Sequence, residues 1–292
     1  MRELFATRLA PVTASWFVYM GTTGQQHIDF IVADEHVLPA HVALHHSERV
    51  LHMPGPFFPI SHASLFPDVA ELDSTAHKNH WRSKYGIPKV GEAIVFASFN
   101  KHLKITPHVW VSWMNILRAV PAAVLVMLEN PRDSLPNLQR SVFAFVACLR
   151  LLFNLCRAGS FAWQAFPHTQ INLNVRDKRY FAEAGLAPHR LMFIPFVNSS
   201  EEHIHRVAMA DVILDTPPWG AHTGAADALW CAVPLLTTPE FKWASTTDSG
   251  TSTQSMASRV ALSLLESSGV WELVGTGLAE YTVRVSLVFQ QC

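Results

Sequence analysis

From Glu92 onward the chain alternates short, almost wholly apolar runs with stretches of helical periodicity, and this alternation narrows the possible folds more than any other feature. Ala93-Ile94-Val95-Phe96-Ala97-Ser98 is β-branched and aromatic and reads as a buried strand. Pro107 to Ala119 follows, with proline in its first turn and apolar residues at helical spacing. Further strands are expected at Ala123–Leu128, Leu191–Phe196, Val212–Leu214 and Pro234–Thr237. Helices are expected at Lys178–Ala184 (closed by Gly185), Glu201–Ala210, Gly224–Ala232 and Met256–Leu265. Continuously apolar strands, each followed by a helix, imply an α/β fold built on a doubly wound parallel sheet covered on both faces.

The first ninety residues read differently. Val12–Tyr19 and Ile28–Ala33 have strand character on either side of the turn-rich Met20-Gly21-Thr22-Thr23-Gly24. Asp73–Lys89 is polar and turn-like, which places a linker or domain boundary there. Two later stretches interrupt the alternation. Ser141–Asn174 lengthens one crossover far beyond an ordinary αβ connection, and Lys242–Ser255 is a Ser/Thr-rich insertion between a strand and its helix. Their composition suits either retained non-coding sequence or a lineage-specific insertion.

Composition removes whole classes of function. Of 292 residues 49% are hydrophobic and only 15% charged, against about 25% charged in an average soluble domain. Disorder, collagen-like sequence and a charged coiled coil are thereby excluded. A net charge of −1 argues against a basic nucleic-acid surface or a polybasic membrane patch. A spanning helix needs about 20 apolar residues in a row. Val142–Cys156 is shorter and broken by Arg150 and Asn154, and Val120–Leu128 is shorter still. The N-terminus carries Glu3 and lacks an apolar stretch before a cleavage site, so a soluble, unsecreted chain of the cytoplasm or nucleus is expected. Cys148, Cys156, Cys231 and Cys292 form no C-x-x-C pair and read as reduced, buried thiols. The pairs His45-His46 and His77/His80 lack a ligand set at metal spacing, so no metal is expected. No dinucleotide fingerprint, P-loop, nucleophile elbow or kinase signature is present.

In an open parallel sheet, ligands bind beyond the carboxyl ends of the strands. The polar residues expected there are Asn100 to Lys104, Asn198-Ser199-Ser200, Asp215-Thr216, His222-Thr223 and Thr238. Ser199 with Glu202 forms a capping-box pattern that fixes a helix start, and His203 and Arg206 then share a face of that helix. A solvated helix face is the plainer alternative. Gly220-Ala221-His222-Thr223-Gly224 opens the next helix with Thr223 as its expected N-cap, where free N–H groups favour a phosphate. Packing of small residues is the alternative there. Asp227, one turn in, suits ribose hydroxyls. Lys104 either sets a cation against a diphosphate, where charge grows on a leaving group, or is ordinary surface.

These residues, with others in the same order, carry a resemblance. Trp16-Phe17-Val18-Tyr19-Met20-Gly21-Thr22-Thr23-Gly24, Asp29-Phe30-Ile31-Val32-Ala33-Asp34, His46-Ser47-Glu48-Arg49, Met53-Pro54 and Phe57-Phe58 resemble the catalytic region of the O-linked N-acetylglucosamine transferases, glycosyltransferase family 41. So do Ser98-Phe99-Asn100 with Lys104-Ile105, Glu201-Glu202-His203 with Arg206, Ala210-Asp211-Val212, Leu214-Asp215-Thr216-Pro217, His222-Thr223 with Asp227 and Leu229-Trp230, and Ala257-Ser258-Arg259-Val260-Ala261. The series runs through most of the chain. It implies a GT-B architecture of two Rossmann-like lobes, with residues 1–75 the tail of the first lobe and 76–292 the second, nucleotide-sugar-binding lobe. The protein O-fucosyltransferases share much of the frame, whereas His222–Trp230 and Ala257–Ala261 look closer to the N-acetylglucosamine branch.

The resemblance implies inverting transfer of N-acetylglucosamine from UDP-N-acetylglucosamine to Ser or Thr hydroxyls of proteins, without a cofactor or metal. Lys104 would contact the diphosphate and stabilise the leaving UDP. Lys101, His203 and Arg206 would line the nucleotide site, His222 and Thr223 would hold the phosphates, and Asp227 the ribose. The departures are specific: Val18 and Met20 replace Gly and Pro of a conserved turn, Lys101 a Gln that reads uracil, Leu103 a Tyr, and Gly224 a second Thr. The family's upstream His and Asp and its tetratricopeptide repeats have no counterpart. A non-catalytic remnant that binds UDP or a protein partner, and an enzyme using GDP-fucose, are the rival expectations.

Overall fold

In the computed structural model, residues 7–8, 10–17, 19–68, 72–129, 186–239 and 255–290 are described. The expected helix Lys178–Ala184, the Ser141–Asn174 stretch, nearly all of Lys242–Ser255, and Cys148, Cys156 and Cys292 lie outside them.

Two parallel sheets organise the described residues. The smaller consists of β1 (Ala14–Ser15), β2 (Phe30–Ala33) and β3 (Arg49–His52), paired in that order with Phe30 opposite Arg49 and Ala33 opposite His52. The larger contains β4 (Ile94–Ser98), β5 (Ala123–Leu128), β6 (Leu191–Ile194), β7 (Val212–Leu214) and β8 (Leu235–Leu236), in the spatial order β6-β5-β4-β7-β8. The chain winds outward from β4 through β5 to β6, then crosses to the other side for β7 and β8. The reversal of direction lies between β4 and β7.

Alternation along these strands divides the core between the two faces of the sheet. Val95, Ala97, Val124, Val126, Ile213 and Leu235 belong to one buried cluster, and Phe96, Leu125, Met127, Val212, Leu214 and Leu236 to the other. Both faces are covered by helices, so every residue of β5 is buried. The helices are α1 (Ala40–Ala43), α2 (His62–Leu65), α3 (Thr75–Lys84), α4 (Pro107–Ala119), α5 (Ser200–Val207), α6 (Thr223–Trp230), α7 (Met256–Ser267) and α8 (Leu278–Gln290). Among the described residues no helix is long and apolar enough to cross a membrane. Cys231 is a free, buried thiol pushed up to about 12 by burial and by the nearby Asp227 charge.

Several expectations need correction. The strand expected over Val12–Tyr19 contracts to Ala14–Ser15 because Phe17 turns to a φ of 71°, left-handed backbone that ends an extended run. Its ring thereby reaches Phe58, 4.9 Å between centroids. The polar stretch Asp73–Lys89 is not a turn-like connection: it contains α3, capped by Ser74, whose side chain accepts from His77 N–H. Arg82 of α3 is fully buried, donating from Nε to Met209 O (2.9 Å) and from Nη2 to Asp211 Oδ1 (2.7 Å). The charges that gave the stretch its polar appearance are partly spent on docking the helix.

Glu48 fixes the Thr22-Thr23 turn against β3. Its carboxylate accepts from Thr23 N–H (2.6 Å), the Thr23 hydroxyl and the Thr22 hydroxyl (2.7 Å). Burial pushes this carboxyl up, but the hydrogen bonds outweigh burial and hold it at about 2 against an ordinary 4.5. A carboxylate whose folded value is depressed stabilises the fold above its unfolded value and loses that contribution as pH falls toward the folded one. Urea midpoints measured between pH 5 and 2 should therefore fall more steeply for the native chain than for Glu48→Gln. Parallel curves would contradict the assignment.

Candidate functional site

The reversal between β4 and β7 leaves a crevice beyond the carboxyl ends of the sheet, the usual ligand position in doubly wound folds. A pocket of about 490 Å³ occupies it, within the range of small-molecule sites. Its walls are Phe99 to Lys101 and Lys104 after β4, His203 and Val207 of α5, Ile213 of β7, and Ala221 to Gly224 with Asp227 around the start of α6. Two lysines and a helix N-terminus face a single carboxylate among these residues, and that carboxylate is already engaged. The pocket favours an anion.

Lys104 ends a single 3-10 turn, His102–Lys104, that follows β4 directly. The buried His102 ring anchors this turn to Leu128 O of β5. Lys104 Nζ donates to Gly220 O at 2.9 Å and more weakly to Asn100 Oδ1 at 3.4 Å. Burial pulls its ammonium below the ordinary lysine value, Asp215 pulls it back up, and Lys101 lowers it further. The cation is thus held on the rim of the pocket by one carbonyl, partly desolvated, where another anion gains most from it.

The loop between β7 and α6 is organised from inside by Asp215. Oδ1 of this fully buried carboxylate accepts from Thr216 N–H (2.7 Å) and Ala221 N–H (2.6 Å), and Oδ2 accepts from the Thr237 hydroxyl (2.6 Å). Its backbone carbonyl accepts from Tyr281 of α8, whose hydroxyl also receives the Trp113 indole N–H. A Cβ at Gly220 would stand 3.0 Å from Asp215 Oδ2, so a larger residue there would force the turn or the carboxylate to shift.

The start of α6 differs from expectation. Thr223 is the first helical residue rather than the N-cap; His222 occupies the cap and makes no side-chain cap bond. The physical reason is that the His222 ring is turned away, with Nε2 at 3.0 Å from Ala257 O. Burial pushes His222 down, with the Ala257 bond opposing and Lys104 adding to the shift, so the ring is neutral near pH 7 and Nε2–H donates. Thr223 and Gly224, the first residues of the helix, line the pocket, and the backbone N–H groups of such a helix start favour an anion.

On α5 the Ser199 side chain accepts from Glu202 N–H, as the sequence pattern implies. The reciprocal half of the capping box is absent, because Glu202 pairs with Lys84 of α3 instead. His203 lies on the pocket wall. Arg206 does not, which corrects the expectation that it lines the site: it is buried behind the wall, donating from Nη1 to Pro195 O (2.7 Å) and from Nη2 to His203 Nδ1 (3.0 Å). Because a guanidinium only donates, His203 Nδ1 accepts, and its Nε2 faces Asp227 Oδ2 at 3.3 Å. The other oxygen, Oδ1, is 2.7 Å from His62 Nε2.

Lys101, Lys104, His203, His222, Thr223 and Asp227 therefore converge on one pocket, with Arg206 one layer behind. Asn198, Ser199, Ser200 and Thr238 lie outside its walls. His62 was not anticipated. Its partner stands 165 residues away, and no local pattern signals such a pairing. Among the described residues no group of three His, Cys, Asp or Glu side chains is arranged to hold a metal ion.

Comparison with known proteins agrees with this geometry. A probable UDP-N-acetylglucosamine–peptide N-acetylglucosaminyltransferase (SEC) of Arabidopsis thaliana is 31% identical over 99% of this chain. A UDP-N-acetylglucosamine–peptide N-acetylglucosaminyltransferase of Caenorhabditis elegans is 32% identical over 68%. The chain spans 24% and 13% of the length of these two relatives. Among solved structures, an O-GlcNAc transferase mutant of Thermobaculum terrenum superposes over 98% of this chain and 42% of its own length, with a TM-score of 0.64 at 23% identity. That likeness establishes the GT-B fold. The sequence profile of glycosyl transferase family 41 matches residues 1–81, 79–155 and 163–288, and the chain belongs to that family.

Proposed function

We propose that this chain binds a uridine diphosphate sugar and takes part in inverting transfer of N-acetylglucosamine from UDP-N-acetylglucosamine to Ser or Thr hydroxyls of proteins. The observation that carries the proposal is the placement of Lys104 beside the open N-terminus of α6, at the reversal point of the sheet in a member of this family. The similarly named plant and nematode relatives support the choice of donor. The two separate sheets support reading residues 1–75 as part of a first lobe and 76–292 as the nucleotide lobe.

In this reading the acceptor oxygen attacks the anomeric carbon as the bond to the β-phosphate oxygen breaks. Lys104, with the N–H groups that begin α6 and the Thr223 hydroxyl, meets the negative charge growing on the departing UDP. Lys104 is the catalytic residue in this scheme, since it touches the leaving group. His222 shapes the phosphate end by holding its backbone in place through Ala257. Lys101 and His203 flank the base and ribose, and Asp227 receives ribose hydroxyls on the lone pairs its histidine partners leave. A lysine and a helix dipole supply the charge that a divalent ion supplies elsewhere, so transfer is expected to survive chelation by EDTA.

The test is transfer of labelled sugar to a Ser/Thr peptide by the 292-residue chain, with UDP-N-acetylglucosamine and GDP-fucose run in parallel. Transfer from the uridine donor supports the proposal. Transfer from GDP-fucose alone overturns the donor assignment, and UDP binding without transfer of either sugar overturns the catalytic one in favour of a binding remnant.

A further inference from the structure

The Asp227 carboxylate is gripped on both oxygens, and one grip comes from the N-terminal part of the chain. His62 of α2 holds Oδ1 at 2.7 Å, while His203, its tautomer set by Arg206, holds Oδ2. Both His62 and Asp227 are buried. The His62 ring packs against both the Phe66 and the Trp230 rings, each 5.7 Å away between centroids. Trp230 lies three residues after Asp227 on α6 and donates its indole N–H to Phe66 O at 3.1 Å. Two polar bonds and an aromatic clamp thus fasten the His62–Phe66 segment to the helix that forms the phosphate end of the pocket.

The other His62 nitrogen, Nδ1, is buried and has no hydrogen-bond partner among the described residues. Burying an imidazole nitrogen without a partner is unfavourable, and a ring serving only to fill space would be replaced at less cost by an apolar one. The histidine is explained by the bond its Nε2 makes. An ionised carboxylate has about four acceptor sites, so two histidine donors fix its plane and still leave one lone pair on each oxygen for a ligand.

We propose that His62 is a positioning residue for the nucleotide: it orients the Asp227 carboxylate from behind so that the remaining lone pairs receive the ribose hydroxyls, making the site dependent on the N-terminal segment. This rests on the nucleotide reading above. No contact of His62 with the ligand is needed, since His62 is not on the pocket wall.

A thermodynamic cycle separates this role from general support of the fold. UDP and 2′,3′-dideoxy-UDP are titrated into the native chain, His62→Leu and His62→Gln, with thermal melting to check that each variant folds. His62→Leu is expected to weaken UDP about tenfold or more and dideoxy-UDP less than about twofold. His62→Gln, which keeps an N–H donor, should recover most of the loss for UDP. Equal weakening of both nucleotides, or none for UDP, overturns the inference while leaving the nucleotide site standing. A native chain that binds neither nucleotide overturns the nucleotide reading together with it.

Discussion

Lys104→Ala is expected to weaken UDP binding by about 1.5–3 kcal/mol, roughly ten- to a hundredfold, the worth of a charge-assisted bond at a partly desolvated site. The lysine now satisfies itself on one carbonyl, Gly220 O, and a diphosphate offers it a formal charge instead. Because burial already lowers its ammonium, the affinity has a pH signature. Binding by the charged form is complete below the folded value and fades as pH rises through it, earlier than for an exposed lysine. The uracil ring and the phosphates titrate as well, so the informative quantity is the difference between the native chain and Lys104→Ala. That difference should shrink as pH rises toward the lysine range, and at lower pH than an exposed lysine would require. A constant difference, or a loss of only a few tenths of a kcal/mol for the variant, would mean that the lysine does not meet the phosphates. Thermal melting without ligand should move little, because Lys104 makes one good hydrogen bond in the free chain.

Asp215→Ala should produce the opposite pattern, a large loss of stability that takes the site with it. The substitution strands three buried donors, Thr216 N–H, Ala221 N–H and the Thr237 hydroxyl. At about 1–3 kcal/mol for each donor left unsatisfied, and with some relaxation, the expected cost is about 3–5 kcal/mol. For a chain of this size that corresponds to a fall in Tm of roughly 6–20 °C. Asp215→Asn keeps an acceptor for the two backbone donors and should recover more than half of the loss. The same carboxylate sets the height of Gly220 O beneath Lys104 and the start of α6, so any Asp215→Ala that remains folded should also bind UDP poorly. A variant with an unchanged melt and unchanged UDP affinity would show that the loop is held by something else.

The parts of the fold that could be read from sequence are those whose stability is local or repetitive. β4, β5 and β7 are runs of apolar residues buried on both faces, and no other element places such runs between helical segments. α4 announces itself through Pro107 in its first turn, and α5 through Ser199. The elements that escaped depend on distant partners. α3 is polar in sequence and helical in place because Arg82 reaches Met209 and Asp211. β3 has only Val50 and Leu51 as apolar residues and is defined by its pairing with β2. α8 was not anticipated either, although Tyr281 closes the core beside Trp113 and touches Asp215.

The site divides in the same way. Residues just past a predicted strand, such as Lys101 and Lys104, and those at a helix start, such as Thr223, follow from topology once the sheet is known to be parallel. Their exact duties do not. His222 could be placed at the right position, but only the structure shows that Ala257 O claims its ring. Asp227 and His203 were located by position, whereas Arg206 was expected on the wall and stands behind it, setting the tautomer of His203. His62 was invisible because the chemistry that needs it belongs to Asp227, on another sheet's helix.

Calorimetric titration of the 292-residue chain with UDP, at two temperatures so that a vanishing enthalpy is not mistaken for absence, bears most directly on the central claim. A nucleotide site built from Lys104 and the start of α6 predicts saturable binding that persists in EDTA and is weakened about tenfold or more by Lys104→Ala. No detectable heat at millimolar UDP at either temperature, or binding indifferent to Lys104, would contradict it.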